Sequence, residues 1–270
     1  MFKKILIYTG YTLLFSALVF YFIFSGRLTG KNEERKPVSA IRVIVADSSD
    51  IKFVTAEEIE KIVAGNGIAE GSTILSEINT HQLEEKINGR SAVKVSQVYL
   101  NREGLLTVSI NQRKPILRIQ TERGGYYMDQ SLYLFPLVNN YSPYLPVVSG
   151  NIPLDIPPGF RGYLSNGGEW LSRMRDFAIF LEEEEFWNNM TEQLYIDKKG
   201  VIHMIPRIGD HRIIIGGAVN IREKFRKLEC FYRDVIPLTG WQAFKSIDLQ
   251  YNKQIVCKKQ NNITDKKSDL

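Results

Sequence analysis

The sequence predicts an α+β protein in which a membrane anchor is followed by two small domains. Ile5 to Phe24 is a run of twenty residues without a charged side chain, close to the start of an otherwise polar chain. Beyond this run, short strand and helix patterns alternate, and the composition of 44% hydrophobic and 24% charged residues is typical of globular domains. A chain of 270 residues has room for an anchor and about two such domains.

The run Ile5 to Phe24 has the length of a single transmembrane helix. At about 1.5 Å rise per residue it matches the ~30 Å hydrocarbon core of a bilayer. A cleaved signal peptide would have an apolar stretch of only about 7 to 15 residues and a small-x-small cleavage site, which residues 24–29 do not offer. We therefore predict an uncleaved signal anchor.

The charges that flank the anchor leave its orientation open. Lys3 and Lys4 precede it, but a larger basic group follows it, and the positive-inside rule weakens when a long folded domain comes next. The following basic residues are Arg27, Lys31, Arg35 and Lys36.

The charge and the cysteines of the chain argue against two classes of binding site. The net charge of +5 comes almost entirely from the two ends, so no basic face for nucleic acid is indicated. Cys230 and Cys257 lie far apart without a Cys-x-x-Cys or Cys/His grouping, which argues against a metal site. Cys230 is expected on the buried side of a helix, which favours free buried thiols over a disulfide.

The first domain is predicted to have the order strand, helix, helix, strand, strand. Thr55 with Glu58, and Asn79 with Gln82, form capping boxes that start the two helices. The alternation of Val93 and Val95 then shifts phase, which indicates a bulge. The strands are predicted at Ile41–Val45, Val93–Leu100 and Leu106–Ile110.

The second domain is predicted to be an antiparallel β-sheet with flanking helices. One helix covers Glu169–Leu181, and another is capped by Asn220 with Glu223. The chain closes with Ile247–Tyr251 and Ile255–Cys257, either as a strand pair or as one long bent strand. The remaining strands are predicted at Leu194–Ile196, Val201–Ile205 and Ile213–Ile215.

These patterns divide the chain into five segments. They are a cytoplasmic stub with the anchor at residues 1–26, a linker at 27–37, the first domain at 38–115, the β domain at 116–257 and a polar, disordered tail at 258–270.

The order of elements and several short motifs resemble those of a known family. The first domain, directly behind an anchor, resembles the POTRA docking module. Five strings occur in order along the chain: Gln112-Arg113-Lys114-Pro115, Tyr126-Tyr127-Met128-Asp129-Gln130-Ser131-Leu132, Phe135-Pro136, Leu145-Pro146-Val147-Val148-Ser149-Gly150 and Ile247-Asp248-Leu249-Gln250-Tyr251. These strings resemble motifs of the FtsQ/DivIB family of bacterial cell-division proteins. Gln250 stands where a basic residue is common in that family. The resemblance covers residues 1–257.

The resemblance implies a non-enzymatic, single-pass scaffold of the division machinery. Its anchor would lie in the inner membrane, with the amino terminus in the cytoplasm and both domains in the periplasm, concentrated at the septum. Its expected partners are small coiled-coil membrane proteins like FtsB and FtsL, which it would link with other early and late division proteins.

The residues themselves offer no catalytic, cofactor or metal site. His81, His203 and His211 are expected to be surface or half-buried residues without a matching nucleophile or ligand set. Gly65-Asn66-Gly67 ends a helix, whereas a phosphate loop would open one. The acidic run Glu182–Glu185 is expected to be a solvated face. No small-molecule substrate is predicted.

We expect the closing strand, from Asp248 to Cys257, to be a sheet edge that pairs with a partner strand. Tyr251 would supply an anchoring surface, and proline at Gln254 should abolish partner capture. In the alternative interpretation, Tyr251 is a core residue and Lys253 protects an idle edge. The predicted partner-binding residues are Asp248, Gln250, Tyr251, Asn252, Lys253, Gln254 and Ile255.

Two other functions remain open from the sequence. A component of envelope protein transport would share the first domain, but it would usually carry several such domains or a barrel. A membrane-tethered envelope hydrolase would require clustered polar residues in a cleft.

Overall fold

The described part of the chain falls into two units, which are treated separately here. They are Met1–Gln112 and Arg113–Leu270. The computed structural model describes residues 2–33, 36–46, 49 and 51–260, and within the first helix it describes the side chains of residues 10–25. The predicted tail lies outside this part of the chain beyond residue 260.

The first element, α1, is a helix at Phe2–Glu33. It contains the predicted span and continues through most of the segment predicted as a linker, so the helical part of the prediction is confirmed. Among the residues that the structure describes, no helix has both the length and the apolar character needed to cross a membrane. The predicted span is therefore not confirmed by the structure.

The rest of the first unit has the predicted order of elements. They are β1 (Ala40–Val45), α2 (Ala56–Gly65), α3 (Thr80–Asn88), β2 (Val93–Leu100) and β3 (Leu105–Gln112). Within the described residues the three strands form one sheet of order β1-β3-β2, with β1 parallel to β3 and β2 antiparallel to it. The predicted α+β arrangement of this unit is confirmed.

Local sequence signals explain the boundaries of these elements. The Thr55 hydroxyl accepts a hydrogen bond from the Glu58 amide at 3.3 Å, and the Asn79 side chain accepts one from the Gln82 amide at 2.9 Å, as the capping boxes predict. The predicted bulge is also present, as a register shift in β2 between Val93 and Val95. Buried residues on α2 and α3 are Ile59, Val63, Leu83 and Ile87.

The second unit is built around one large sheet with helices in its connections. Its elements are β4 (Pro115–Thr121), β5 (Gly124–Asp129), β6 (Leu134–Pro136), β7 (Val147–Gly150), α4 (Gly168–Glu183), α5 (Glu185–Met190), β8 (Thr191–Ile196), β9 (Ile202–Pro206), β10 (Arg212–Gly216), α6 (Ile221–Asp234), α7 (Ile236–Thr239), β11 (Phe244–Asp248) and β12 (Val256–Lys259). In the described residues the sheet has nine strands in the order β12-β11-β10-β9-β8-β7-β4-β5-β6.

This sheet is mixed, so the prediction of an antiparallel sheet is wrong. The pairs β4–β7, β7–β8 and β10–β11 are parallel. A parallel pair needs a crossover, because the chain must return to the same end of the sheet. Helices α4 and α5 make that crossover between β7 and β8, and α6 and α7 make it between β10 and β11.

The core of the second unit lies between one face of the sheet and the helices. Phe177 of α4 and Phe225 of α6 are buried with ring centroids 5.6 Å apart, and Trp187 of α5 lies 5.0 Å from Phe225. These ring contacts join α6 to α4 and α5 within the core. Asn220 is the N-cap residue of α6, as predicted, but it has φ +54° and its side chain makes no capping hydrogen bond, so the predicted capping box does not form.

The acidic run Glu182–Glu185 is divided between two helices. α4 ends at Glu183, and α5 begins at Glu185 and places the buried Trp187 in the core. Glu185 therefore stands in the first turn of a helix, where a negative charge is favoured by the helix dipole. The sequence patterns did not predict α5, because the run was interpreted as the exposed end of a single helix.

A buried ion pair stands at the start of the second unit. Arg113 Nη1 lies 2.9 Å from Asp129 Oδ2, and the two side chains are only 10% and 8% exposed. The guanidinium also lies over the Tyr133 ring, 3.3 Å from its centroid. Asp129 Oδ1 accepts hydrogen bonds from the Ser131 amide and hydroxyl and from the Tyr133 amide. The pair thus ties the segment before β4 to the turn after β5.

We expect Arg113→Met to lower the free energy of unfolding by about 3–5 kcal/mol, because it leaves the buried Asp129 carboxylate without its cation. Denaturant unfolding of the purified chain measures this loss. The matched control is Arg173→Met, which removes an exposed pair with Glu169 and should cost less than about 1 kcal/mol. Equal losses in the two variants would contradict the structural role of the buried pair.

Candidate functional site

The closing segment of the chain is a β-hairpin at one edge of the large sheet. Strands β11 and β12 are antiparallel, and β12 is the outermost strand. Of the two arrangements left open by the sequence, the strand pair is therefore the correct one. The expectation that one edge strand runs from Asp248 to Cys257 is wrong, because residues 249–255 form the connection and the edge strand begins at Val256.

The seven predicted partner-binding residues lie together in and beside this connection. Asp248 ends β11, and its carboxylate accepts a hydrogen bond from the Gln250 amide at 2.9 Å. Tyr251 is 48% exposed, so the alternative interpretation of it as a core residue is wrong. Exposed positions next to Tyr251 are Asn252, Lys253 and Gln254, whereas Ile255 is half-buried against the core.

The connection has a specific backbone conformation. Lys253 has φ +58°, in the left-handed region that non-glycine residues seldom adopt. Gly216, at the end of β10, also has a positive φ, and a Cβ added there would come within 2.8 Å of the Gln250 side chain. The absence of a side chain at Gly216 thus lets Gln250 pack directly against the neighbouring strand end.

The outer side of β12 presents backbone amides without partners. The Gln260 amide donates to the Ala243 carbonyl at 3.0 Å, so even-numbered residues of this segment face β11. By alternation, the amides of Cys257 and Lys259 point away from the sheet. Neither amide has a hydrogen-bond partner among the residues that the structure describes.

The other sheet edges are at least partly closed by the chain itself. At the β2 edge, side chains of α3 accept hydrogen bonds from two strand amides. At the β1 edge, a loop carboxylate accepts a hydrogen bond from one strand amide. At the β6 edge, a backbone segment forms hydrogen bonds with the strand. The contacts are Val98 amide to Glu84 at 2.7 Å, Ser96 amide to Asn88 at 2.8 Å, Ile41 amide to Glu70 at 2.7 Å and the reciprocal Leu134–Gly162 bonds at 2.9 Å.

A basic groove adjoins the β12 edge on the sheet face away from the helices. It has a volume of about 680 Å3. Arg212, Ser246 and Lys258 are direct cross-strand neighbours on β10, β11 and β12, so two cations flank one hydroxyl. Glu192 and Asp210 also line the groove. Sequence reasoning missed this cluster, because its members are separate in the chain and only the sheet order brings them together.

His203 and His211 are buried, so the expectation of surface or half-buried positions is wrong for these two histidines, whereas His81 is exposed as expected. His211 is buried, its Nε2 lies 2.7 Å from the Tyr232 hydroxyl, and its ring stacks on Trp241. His203 Nε2 lies 3.1 Å from Asp197, and this contact lowers the pKa of the carboxyl group. Burial lowers the pKa of His211 below its ordinary value. In the described part of the chain, no three His, Cys, Asp or Glu side chains converge as metal ligands.

The two cysteines are free thiols, and the expected burial of Cys230 is wrong. Cys230 is exposed, because the buried side of α6 is formed by Phe225, Leu228 and Tyr232, which leave residue 230 pointing outward. Cys257 is half-buried on the core side of β12, and this burial raises the pKa of its thiol.

We expect the protein to lose stability as the pH falls below the ordinary histidine pKa of 6.5. The unfolded chain takes up a proton at His211 near that pH, whereas the folded chain resists protonation, so acid favours unfolding. Thermal unfolding between pH 8 and pH 5 measures the effect, and His211→Gln should flatten the pH profile. His81→Gln, at an exposed position, should leave it unchanged. A His211→Gln profile as steep as the parent's would contradict the assignment.

Two family models match the chain. A model described as FtsQ/DivIB, C-terminal related, matches residues 114–258, which include the hairpin except its last residue, Lys259. A model described as a POTRA-like domain matches residues 38–111, which include β1, β2 and all of β3 except Gln112. No curated protein matches the chain.

Proposed function

The chain belongs to the FtsQ/DivIB family, a family of non-enzymatic cell-division scaffolds, and we propose that it is a single-pass membrane scaffold of the bacterial division machinery. In this role it links early and late septum-assembly proteins through contacts in the periplasm. The anchor at residues 5–24 holds it in the inner membrane with its amino terminus in the cytoplasm. The twenty uncharged residues and the helix α1 support this part of the proposal.

The observation that carries the proposal is the open edge of β12. Cys257 and Lys259 present outward amides without partners, while the chain itself occupies amides at its other sheet edges. A partner that adds one extended strand would satisfy these amides and gain affinity from backbone hydrogen bonds. Small coiled-coil membrane proteins like FtsB and FtsL are the proposed partners.

Side chains around the edge would give this pairing its specificity. Tyr251 offers a half-exposed ring with a polar tip beside the edge, and Val256 is 45% exposed on the edge strand itself. Lys253 and Lys258 are exposed cations at the two ends of the same surface. Gln250 carries no charge, so these lysines are the proposed source of the positive charge that Gln250 does not provide.

Proline at Lys259 should weaken capture of the FtsB-like partner by at least about tenfold, because it removes an outward amide from the pairing edge. The same amide makes no bond to β11, so the domain should keep its stability. Co-purification of the full chain in detergent with the partner measures capture, and Lys259→Ala is the matched control. Undiminished capture by the proline variant would overturn strand addition at this edge.

The proline substitution at Gln254 tests a different feature. Gln254 lies in the connection before β12 and not in the edge strand, so proline there would act on the shape of the loop. Proline at Lys259, and not proline at Gln254, is therefore the substitution that tests pairing at the edge strand.

A fluorescent fusion of the full chain should form a band at midcell in dividing cells. The division scaffold requires this position, whereas an envelope transport component or a tethered envelope hydrolase would give a uniform rim. Live-cell microscopy makes the comparison, and a uniform rim would reject the proposed function.

A further inference from the structure

We propose that Lys227 of α6 is a positioning residue for the partner-binding hairpin, and this inference rests on the function proposed above. Lys227 would not need to touch the partner. It would hold the connection between β11 and β12 in the conformation that displays Tyr251 beside the open edge.

The proposal begins with two hydrogen bonds from one ammonium group. Lys227 Nζ donates to the Tyr251 carbonyl at 2.7 Å and to the Leu249 carbonyl at 3.3 Å. These carbonyls belong to alternate residues of the connection, so one cation fixes the peptide on both sides of Gln250. Hydrogen bonds from a charged donor are roughly twice as strong as those between neutral groups.

The connection depends on such support because its own residues are exposed. Residues 250–254 are all exposed, and Lys253 has the left-handed φ noted above, which is a strained conformation for a non-glycine residue. Within the described residues, two other hydrogen bonds fix the start of the connection. The Leu249 amide donates to the Ile214 carbonyl at 2.9 Å, and the Gln250 amide donates to the Asp248 carboxylate at 2.9 Å.

A second lysine supports the neighbouring strand end from the same helix. Lys224 Nζ donates to the Gly217 carbonyl at 2.9 Å. Gly216, the residue before that carbonyl, is the one against which Gln250 packs. Lys224 and Lys227 are three residues apart and therefore lie on one side of α6. We call these two residues the α6 lysine clamp.

The α6 lysine clamp stands on a rigid base. Between its two lysines, Phe225 is fully packed into the aromatic core, and Leu228 follows directly after Lys227 with no exposed surface. α6 therefore cannot move without disturbing the core, and the backbone that carries the Lys227 side chain has a fixed position. The hydrogen bonds of Lys227 thus join the exposed connection to a helix that is packed into the core.

Such support lowers the cost of binding. A connection that is already ordered loses little conformational freedom when the partner strand docks, whereas a released connection must be ordered at that moment. We expect Lys227→Met to weaken partner binding about tenfold, which corresponds to ~1.4 kcal/mol, mostly through faster dissociation.

The test compares Lys227→Met with Arg226→Met in the full chain. Arg226 is the adjacent residue, is exposed, and makes no hydrogen bond or ion pair within the described part of the chain. The probe is the periplasmic segment of the same organism's FtsB-like protein, and binding is followed by equilibrium affinity and dissociation rate. Lys227→Arg, which keeps a cationic donor, should recover most of the affinity.

A second measurement uses the free chain and needs no partner. Lys227→Met should speed amide hydrogen exchange at residues 250–255 and leave exchange in β8 and β9 unchanged. This pattern separates local release from general destabilisation. Arg226→Met should exchange like the parent. If Lys227→Met does not fold, the test relies on Lys227→Arg. Near-parental affinity and exchange in Lys227→Arg would support the clamp, and loss of either would overturn the clamp.

The outcomes separate this inference from the function on which it rests. Parental affinity and parental exchange in Lys227→Met would overturn the clamp, while loss of capture in the Lys259 proline variant would keep the proposed function. If the parent chain binds no FtsB-like segment, the proposed function fails, and the exchange measurement still decides whether Lys227 orders the connection.

Discussion

Backbone hydrogen bonding at the edges of the two sheets is the constraint on which the rest of the structure depends. Each edge strand has amides that point away from the sheet, and these need either water or a partner. Side chains of α3 accept hydrogen bonds from such amides at β2, and Glu70 accepts one from an amide of β1. A backbone segment forms hydrogen bonds with β6. The chain thus occupies edge amides that could otherwise pair with strands of other proteins. At β12, by contrast, the outward amides of Cys257 and Lys259 have no partner within the described residues.

The mixed order of the large sheet explains why the open edge lies where it does. Two helical crossovers place β8 and β11 parallel to their neighbours and leave the helices on one face. The hairpin of β11 and β12 then extends the sheet beyond the last crossover, beside α6. As a result, the edge strand is short, while the loop before it rests on a helix that is anchored in the core.

The predictable features were those set by neighbouring residues. Thr55 and Asn79 cap their helices because the capping groups are three residues apart in the chain, and the bulge at Val93 is visible as a shift in alternation. The parallel pairings, the basic row of Arg212 and Lys258, and the contact of Gly216 with Gln250 depend on sheet order, which no local pattern encodes. Asn220 occupies the predicted N-cap position of α6, but its left-handed φ was not predicted, and its side chain makes no capping hydrogen bond.

The brevity of β12 also affects how the protein behaves at high local concentration. Four residues, two of them lysines, form this strand. If two copies of the chain paired edge to edge about a two-fold axis with Cys257 opposite Lys259, the two Lys258 side chains would face each other across the new ladder, and such like-charge pairs are unfavourable. Pairing of two copies in this register is therefore disfavoured.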